Sequence, residues 1–378
     1  MRRLRFAPMT IQGICEDRFG AVRETLATLL EGDDVGAAAA VYVDGEPVVD
    51  LWGGYADAAR TVAWERDSIT NVWSITKTMT ALCALILADR GDLDLDAPVA
   101  EYWPEFAAAG KGGVLVRHLL SHTAGLPTWD EPMATEDLYD WEIATSRLAA
   151  QAPRWEPGTR AGYHAVTQGY LVGEVVRRVT GRSLGRFFAE EVAGPLGADF
   201  HIGLPAEHDH RVVPIIPPPA APSPEADDPR NRPGNPPVPP AIANTLAWRR
   251  AEIPAANGHG NARSIGAVQS VLAGGGTARG VRLLSPEGCE RVFEEQFRGT
   301  DQILGVPMRY GIGYGLNGGW LPNPRSCFWG GWGGSLVVVD LDARMTVSCV
   351  MNRMADPASD AGQRAFLLVM AAYEGLTA

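Results

Sequence analysis

Apolar positions recur with helical spacing over residues 14–31, and the pattern predicts an amphipathic helix there. The next stretch, "AAAAVYVDGEPVVDLWGGYAD", reads as two β-rich runs around Asp44-Gly45, a dipeptide suited to a tight hairpin turn. Ser74 to Arg90 returns to helix, almost wholly apolar beyond its first turn and stopped by Gly91. From about residue 95 to 212 strand signals fade, and segments such as "VRHLLSHT" and "AVTQGYLVGEVVRRVTG" are helical in pattern. "NARSIGAVQSVLAGG" predicts another helix. The C-terminal third then gives strand-like runs, "RYGIGYGLN", "SCFWGGWGG", "SLVVVDLD" and "ARMTVSCVMN", before a last helix over about 357–376. Short connections make these strands antiparallel neighbours.

The β-rich material therefore lies at both ends of the chain. The simplest arrangement is an α/β lobe built from residues 1–92 and 255–378, with a mostly helical lobe, 93–254, inserted between them. A cleft between the lobes is the expected place for a site. The inserted lobe includes residues 214–240, "PIIPPPAAPSPEADDPRNRPGNPPVPP", whose twelve prolines exclude regular structure. That segment reads either as a flexible linker or as a long, stiff loop laid across the surface.

Composition narrows the classes. At 46% hydrophobic and 21% charged residues the chain is ordinary for a soluble globular protein. A net charge of −12 argues against a nucleic-acid or anionic-membrane partner, since both select basic surfaces. The five cysteines are scattered, with no C-x-x-C pair, which favours a reducing compartment. The start, "MRRLRFAPMTIQGICEDRFG", has no apolar core of a secretory signal, and the longest apolar run, "ALCALILA", is too short to span a bilayer. The expectation is a soluble, cytoplasmic protein acting on a small molecule. Its oligomeric state is left open.

The candidate chemistry begins in "SITK". Lys77 and Lys111 are the only lysines; every other permanent cation is arginine. Ser74 and Lys77, spaced i and i+3, share a helix face, so hydroxyl and amine can meet. Burial and the positive end of the helix both disfavour the ammonium form of Lys77. A neutral amine can take a proton from a serine; an arginine cannot. Ser74 is also a candidate N-cap of the helix.

Four segments, in order, carry a resemblance: "SITK" (74–77), "RHLLSHTAGLP" (117–127), "EPGTRAGYHAVTQGYLVGEVVRRVTG" (156–181) and "FWGGWGGS" (328–335). Together they resemble the class C β-lactamase-like serine hydrolases, and within these the family VIII carboxylesterases, over nearly the whole chain. The resemblance implies a β-lactamase/penicillin-binding-protein-like α/β fold: an antiparallel sheet flanked by N- and C-terminal helices, plus an all-helical lobe. It also implies Ser74 as nucleophile, assisted by Lys77, with Tyr163 completing the catalytic set. The strand triplet that is Lys-Thr-Gly in β-lactamases corresponds to Trp329-Gly330-Gly331, a substrate-binding edge. The N–H groups of Ser74 and Trp332 would form the oxyanion hole. Where those β-lactamases carry Tyr-x-Asn, this chain has "YHA", with Ala165 in place of the Asn.

Other motifs read as decoys. "GRSLG" matches a nucleophile elbow, but a helical pattern precedes it, so Gly181 reads as a C-cap and Ser183 as an N-cap. His118 and His122, and "EHDH" at 207–210, look metal-like without forming a known metal motif. His259 in "NGHGNAR" is a residue that can shape the cleft. No metal and no organic cofactor is expected. The reading is a serine carboxylesterase hydrolysing short-chain or small aromatic esters through a Ser74 acyl-enzyme. The alternatives are a β-lactamase, a D-amino-acid peptidase or an acyltransferase on the same fold, and a non-catalytic scaffold or ligand sensor. Trp129, Trp248 and Trp329 suggest an aromatic-walled pocket, and Arg353 is a possible partner for a substrate carboxylate.

Overall fold

The computed structural model describes residues 11–32, 34–218, 234–355 and 361–377. Its centre is a nine-stranded antiparallel sheet. Across it the strands run Gln12–Cys15, Glu46–Gly54, Gly36–Val43, Met345–Met351, Leu336–Asp340, Ser326–Gly330, Gly315–Leu316, Pro307–Tyr310 and Phe297–Thr300. The hairpin turn at Asp44-Gly45 has positive φ at both residues, 53° and 82°, which matches its twist to that of the strands.

Gly36–Val43 shows why this sequence reads as an unbroken apolar run. Ala37, Ala39 and Val41 enter one core, and Ala38, Ala40 and Tyr42 enter the other, so both faces are covered. The helices Gly20–Glu31 and Ala361–Thr377 cover the first face, while Ala262–Ala273 lies on the second, against Gly36–Val43 and Met345–Met351. Sheet and helical region share that second core, which runs from Ala38 through Leu82, Leu171 and Trp329.

Helix Thr76–Asp89 sits between the two regions. It is buried from Thr76 to Leu87 and packs on the helices Thr167–Thr180 and Leu184–Phe188. The segment 254–258 fastens its start: Thr80 Oγ1 donates to Pro254 O at 2.6 Å, and the Gly258 N–H donates to Thr76 Oγ1 at 2.8 Å.

Some expectations need correction. Residues 14–31 are not one helix: Gln12–Cys15 is an edge strand, a short turn follows, and the helix is Gly20–Glu31. The edge strand pairs with Glu46–Gly54, a partner distant in sequence that local periodicity cannot reveal. The catalytic-helix candidate starts at Thr76 rather than Ser74, with Ile75 at the cap position and no side-chain cap, so Ser74 is not its N-cap. The last helix is described over Ala361–Thr377, and its expected start at 357 lies outside the described residues. A two-residue strand, Phe200–His201, interrupts the stretch expected to lack strands. Most of the proline-rich segment lies outside the described residues. Its end is anchored, with Asn235 Nδ2 donating to Trp129 O at 2.8 Å and Asn235 O accepting from Thr128 Oγ1 at 2.6 Å.

Candidate active site

Ser74, Lys77 and Tyr163 come together. Lys77 Nζ is 3.2 Å from Ser74 Oγ, and the Tyr163 hydroxyl donates to the same oxygen at 2.6 Å. Ser74 is presented by a strained turn. Trp73, the residue before it, has φ 51°, a left-handed conformation that costs a bulky residue energy. Surrounding contacts hold it there: the Trp73 ring lies 5.9 Å from Trp248 and 5.0 Å from Trp332.

Lys77 is buried, and desolvation holds its amine well below the usual lysine range. Its other partners are the carbonyls of Ala165 at 2.7 Å and Ala255 at 2.9 Å. Carbonyls only accept, so they take the two N–H bonds of a neutral amine and leave its lone pair facing the Ser74 hydroxyl. Ala165, where a side-chain amide was missing, thus contributes through its backbone.

Tyr163 precedes the helix Thr167–Thr180 in a segment held by two histidines. His164 Nδ1 donates to Gly162 O at 2.6 Å and its Nε2 accepts from the Leu126 N–H at 3.0 Å, which fixes the neutral tautomer. His122 Nδ1 accepts from the His164 N–H at 3.1 Å. Burial pushes both imidazoles down, His164 to about 4. The Tyr163 phenol is pushed up to about 12 by burial, against the opposing effects of Ser74 and Trp329, so it is a proton donor at neutral pH.

The strand Ser326–Gly330 forms the facing wall. Trp329 stacks on His122 with ring centroids 5.3 Å apart and lies 6.0 Å from Tyr163. At Gly331 a Cβ would come within 2.4 Å of Val72 O and 2.3 Å of Ser335 Oγ, so only glycine permits this approach. Among the described residues no group accepts from the N–H of Ser74 or of Trp332, and both residues border one cavity. These two donors are therefore available to a developing oxyanion.

That cavity has a volume of about 480 Å³. Trp329, Gly330 and Gly331 line it as expected, joined by Trp73, Val238, Leu304, Met308, Tyr310, Phe328 and Trp332. Among the described residues no Asp, Glu, Lys, Arg or His side chain lines it. The expected aromatic wall is real but differently composed. Trp129 and Trp248 are core residues whose indoles donate to Ala144 O and Asn71 Oδ1, and Trp73 and Trp332 take their place. Arg353 and His259 are not lining residues either; buried His259 has its Nδ1 2.8 Å from Asn257 O.

The remaining motifs have structural roles. Ser183 caps the helix Leu184–Phe188 and donates to Glu252 Oε1 at 2.6 Å, and Gly181 ends the preceding helix with φ 70°. His118 Nδ1 accepts from the Leu115 N–H, and His210 Nδ1 is 2.8 Å from Glu207 O. Among the described residues no three His, Cys, Asp or Glu side chains group as metal ligands, and no helix is long and apolar enough to cross a membrane.

The pH dependence follows from these ionisations. Turnover of an uncharged ester is expected to rise as pH passes upward through the depressed Lys77 pKa, because the ammonium must lose its proton. It should then stay flat until strongly alkaline pH, where a phenol near 12 ionises. A pH series of kcat/KM with a pH-insensitive leaving group checks this; a basic limb near pH 8 would contradict it.

Comparison with known proteins shows the family and the fold. The family model "Beta-lactamase" matches residues 22–371. The chain is 37% identical over 364 residues to the esterase/beta-lactamase LipL of Mycobacterium tuberculosis, covering 91% of this chain and 83% of that protein. A crystal structure of a family VIII carboxylesterase superposes with TM-score 0.89 at 44% identity, covering 97% of this chain and 100% of the other. A penicillin-binding protein homologue from Caulobacter crescentus follows at TM-score 0.87 and 36% identity, covering 97% and 100%. The nine-stranded antiparallel sheet with its helices is thus the β-lactamase/penicillin-binding-protein-like fold, and the chain belongs to the β-lactamase family, as a serine hydrolase of its esterase/β-lactamase group.

Proposed function

We propose that this hydrolase is a carboxylesterase acting on small, uncharged esters through an acyl-enzyme on Ser74. The carrying observation is the cavity above Ser74, apolar and aromatic, with no cationic side chain among its described lining residues. β-Lactams and D-amino-acid peptides bring a carboxylate close to the reacting carbonyl. Desolvating that anion without a partner is costly, whereas indole walls favour an alkyl or aryl ester.

In this reading Ser74 Oγ attacks the ester carbonyl while its proton passes to the Lys77 amine. The carbonyl oxygen gains charge and is met by the N–H groups of Ser74 and Trp332. As the C–O bond to the alcohol breaks, the Tyr163 hydroxyl protonates the departing oxygen, and the Lys77 ammonium gives its proton to the phenolate so formed. Water then attacks the acyl-enzyme by the reverse path, the acid leaves, and the Ser74 hydroxyl is restored. Lys77 is the base and Tyr163 the acid because burial favours the neutral form of each.

The test compares kcat/KM for a short-chain p-nitrophenyl ester and a chromogenic cephalosporin under identical conditions. The ester is expected to be the better substrate by at least about 10²-fold, the scale set by one unpaired buried charge. Equal or higher efficiency on the cephalosporin would make β-lactam hydrolysis the primary activity.

A further inference from the structure

Asp301 lies outside every motif above, in the loop between the strands Phe297–Thr300 and Pro307–Tyr310, yet it is fully buried. Its Oδ1 accepts from three backbone N–H groups: Tyr163 at 3.1 Å, Ile303 at 2.8 Å and Leu304 at 2.8 Å. Its Oδ2 accepts from the Tyr310 hydroxyl at 2.9 Å. The loop is tied again to the Tyr163 segment by the Gln302 N–H, which donates to Ala161 O at 2.9 Å. Tyr163, Leu304 and Tyr310 all line the cavity.

A loop aspartate that only shaped its own turn would need the Ile303 and Leu304 N–H groups alone. The bond to Tyr163 crosses to another part of the chain and ends on the residue whose hydroxyl touches Ser74. Among the described residues no cation pairs with Asp301, so hydrogen bonds alone compensate its burial. Losing one is therefore felt at the others.

We propose that Asp301 is a positioning residue that couples the outer wall of the cavity to Tyr163, so that a substrate group resting on Leu304 sets the placement of the phenol on Ser74. The inference rests on the reading of Tyr163 as the proton donor. Leu304 and Tyr163 hang from one oxygen atom, and a shift of the loop moves the anchor of the tyrosine backbone.

Asp301→Ala removes the anchor and should lower kcat on a short ester by about 10²-fold, the scale of a misplaced catalytic group, with KM changed far less. Asp301→Asn keeps an oxygen for the three N–H groups, removes the charge and turns the acceptor of the Tyr310 hydroxyl into an amide donor. It should lose less in kcat but move the alkaline limb to lower pH, because the Asp301 charge opposes ionisation of Tyr163. Of the other groups facing or adjoining the phenol, Lys77, His122 and Trp329 make no hydrogen bond to Asp301 among the described residues, whereas Tyr310 is bonded to it and His164 feels its charge. In a Tyr163→Phe background both substitutions should cost little more. Equal losses in the two backgrounds, or an unmoved pH profile for Asp301→Asn, would overturn the coupling. High activity of Tyr163→Phe alone would instead defeat the role given to the tyrosine, a separate outcome. Should the Asp301 variants not fold, the unmodified enzyme still decides: with a phosphonate on Ser74, amide exchange at Tyr163 and Leu304 should slow together. Slowing at only one of them would overturn the proposal.

Discussion

Ser74→Ala is expected to abolish hydrolysis of a short p-nitrophenyl ester, while Ser183→Ala keeps most of it. Of these two serines, only Ser74 has an amine and a phenol on its hydroxyl oxygen. Removing the nucleophile of such a unit costs on the order of 10⁶ in kcat, because its members act together. The Ser183 hydroxyl donates to Glu252 and accepts from the Arg186 N–H at a helix start, away from the cavity. Its loss should appear as about 1 kcal/mol of stability, the worth of an N-cap, and in Tm rather than in kcat. Labelling by a fluorophosphonate, read by mass spectrometry, should follow the same division. Label on Ser183 in the unmodified chain would overturn the whole assignment.

Lys77→Arg is expected to be almost as damaging as Lys77→Ala, with kcat lower by about 10²–10⁴-fold, the range of a lost general base. A guanidinium cannot lose its proton, and it must replace an amine buried between two carbonyls and a hydroxyl. Lys111 supplies the control. It too is buried, and its Nζ donates to the carbonyls of Ala108, Ala149 and Gln151, with no hydroxyl among them. Three acceptors suit an ammonium, so Lys111 fastens backbone and moves no proton. Lys111→Met should lower Tm and leave kcat for the folded fraction near that of the unmodified chain. Near-normal turnover by Lys77→Arg would reduce Lys77 to the same structural role.

The two lysines show where sequence reasoning reaches its end. Scarcity of lysine drew attention to Lys77, but scarcity marks Lys111 equally. What separates them is the third partner, and that is fixed by folding. Ser74 and Lys77 were legible because they lie three residues apart, joined by the turn that leads into the helix Thr76–Asp89. Tyr163, distant along the chain, was reached only through the resemblance carried by ordered motifs. Asp301 had no local signal: "RGTDQILG" looks like an exposed turn, and only the pairing of its flanking strands buries the carboxylate against Tyr163. The fold divides in the same way. The Asp44-Gly45 hairpin and the strands around residues 326–351 announce themselves by period and turn chemistry, whereas the edge strand Gln12–Cys15 exists only because Glu46–Gly54 is there to receive it. Trp129 and Trp248 were placed at the cavity by their chemistry alone. Their indole N–H groups instead found backbone and amide partners in the core.

The pairing of Gly36–Val43 with Met345–Met351 sets a timetable for synthesis. Val43 faces Met345, so the first hairpin leaves the ribosome long before its second neighbour is made. At about 5–20 residues per second the wait is roughly 15–60 s. Throughout it the hairpin has an unsatisfied edge, a template for pairing with another nascent chain. Four successive alanines, Ala37 to Ala40, blunt that edge, because alanine is a weak strand former with little side chain to offer a stranger. Ser74, Lys77 and Tyr163 are likewise made early, but Ala255 and the wall from Trp329 to Trp332 follow much later. A nascent chain therefore carries the proposed nucleophile for most of translation without the second carbonyl that holds the Lys77 amine or the Trp332 N–H proposed for the oxyanion. On the proposed reading, hydrolysis is expected only once the last strands have closed the sheet.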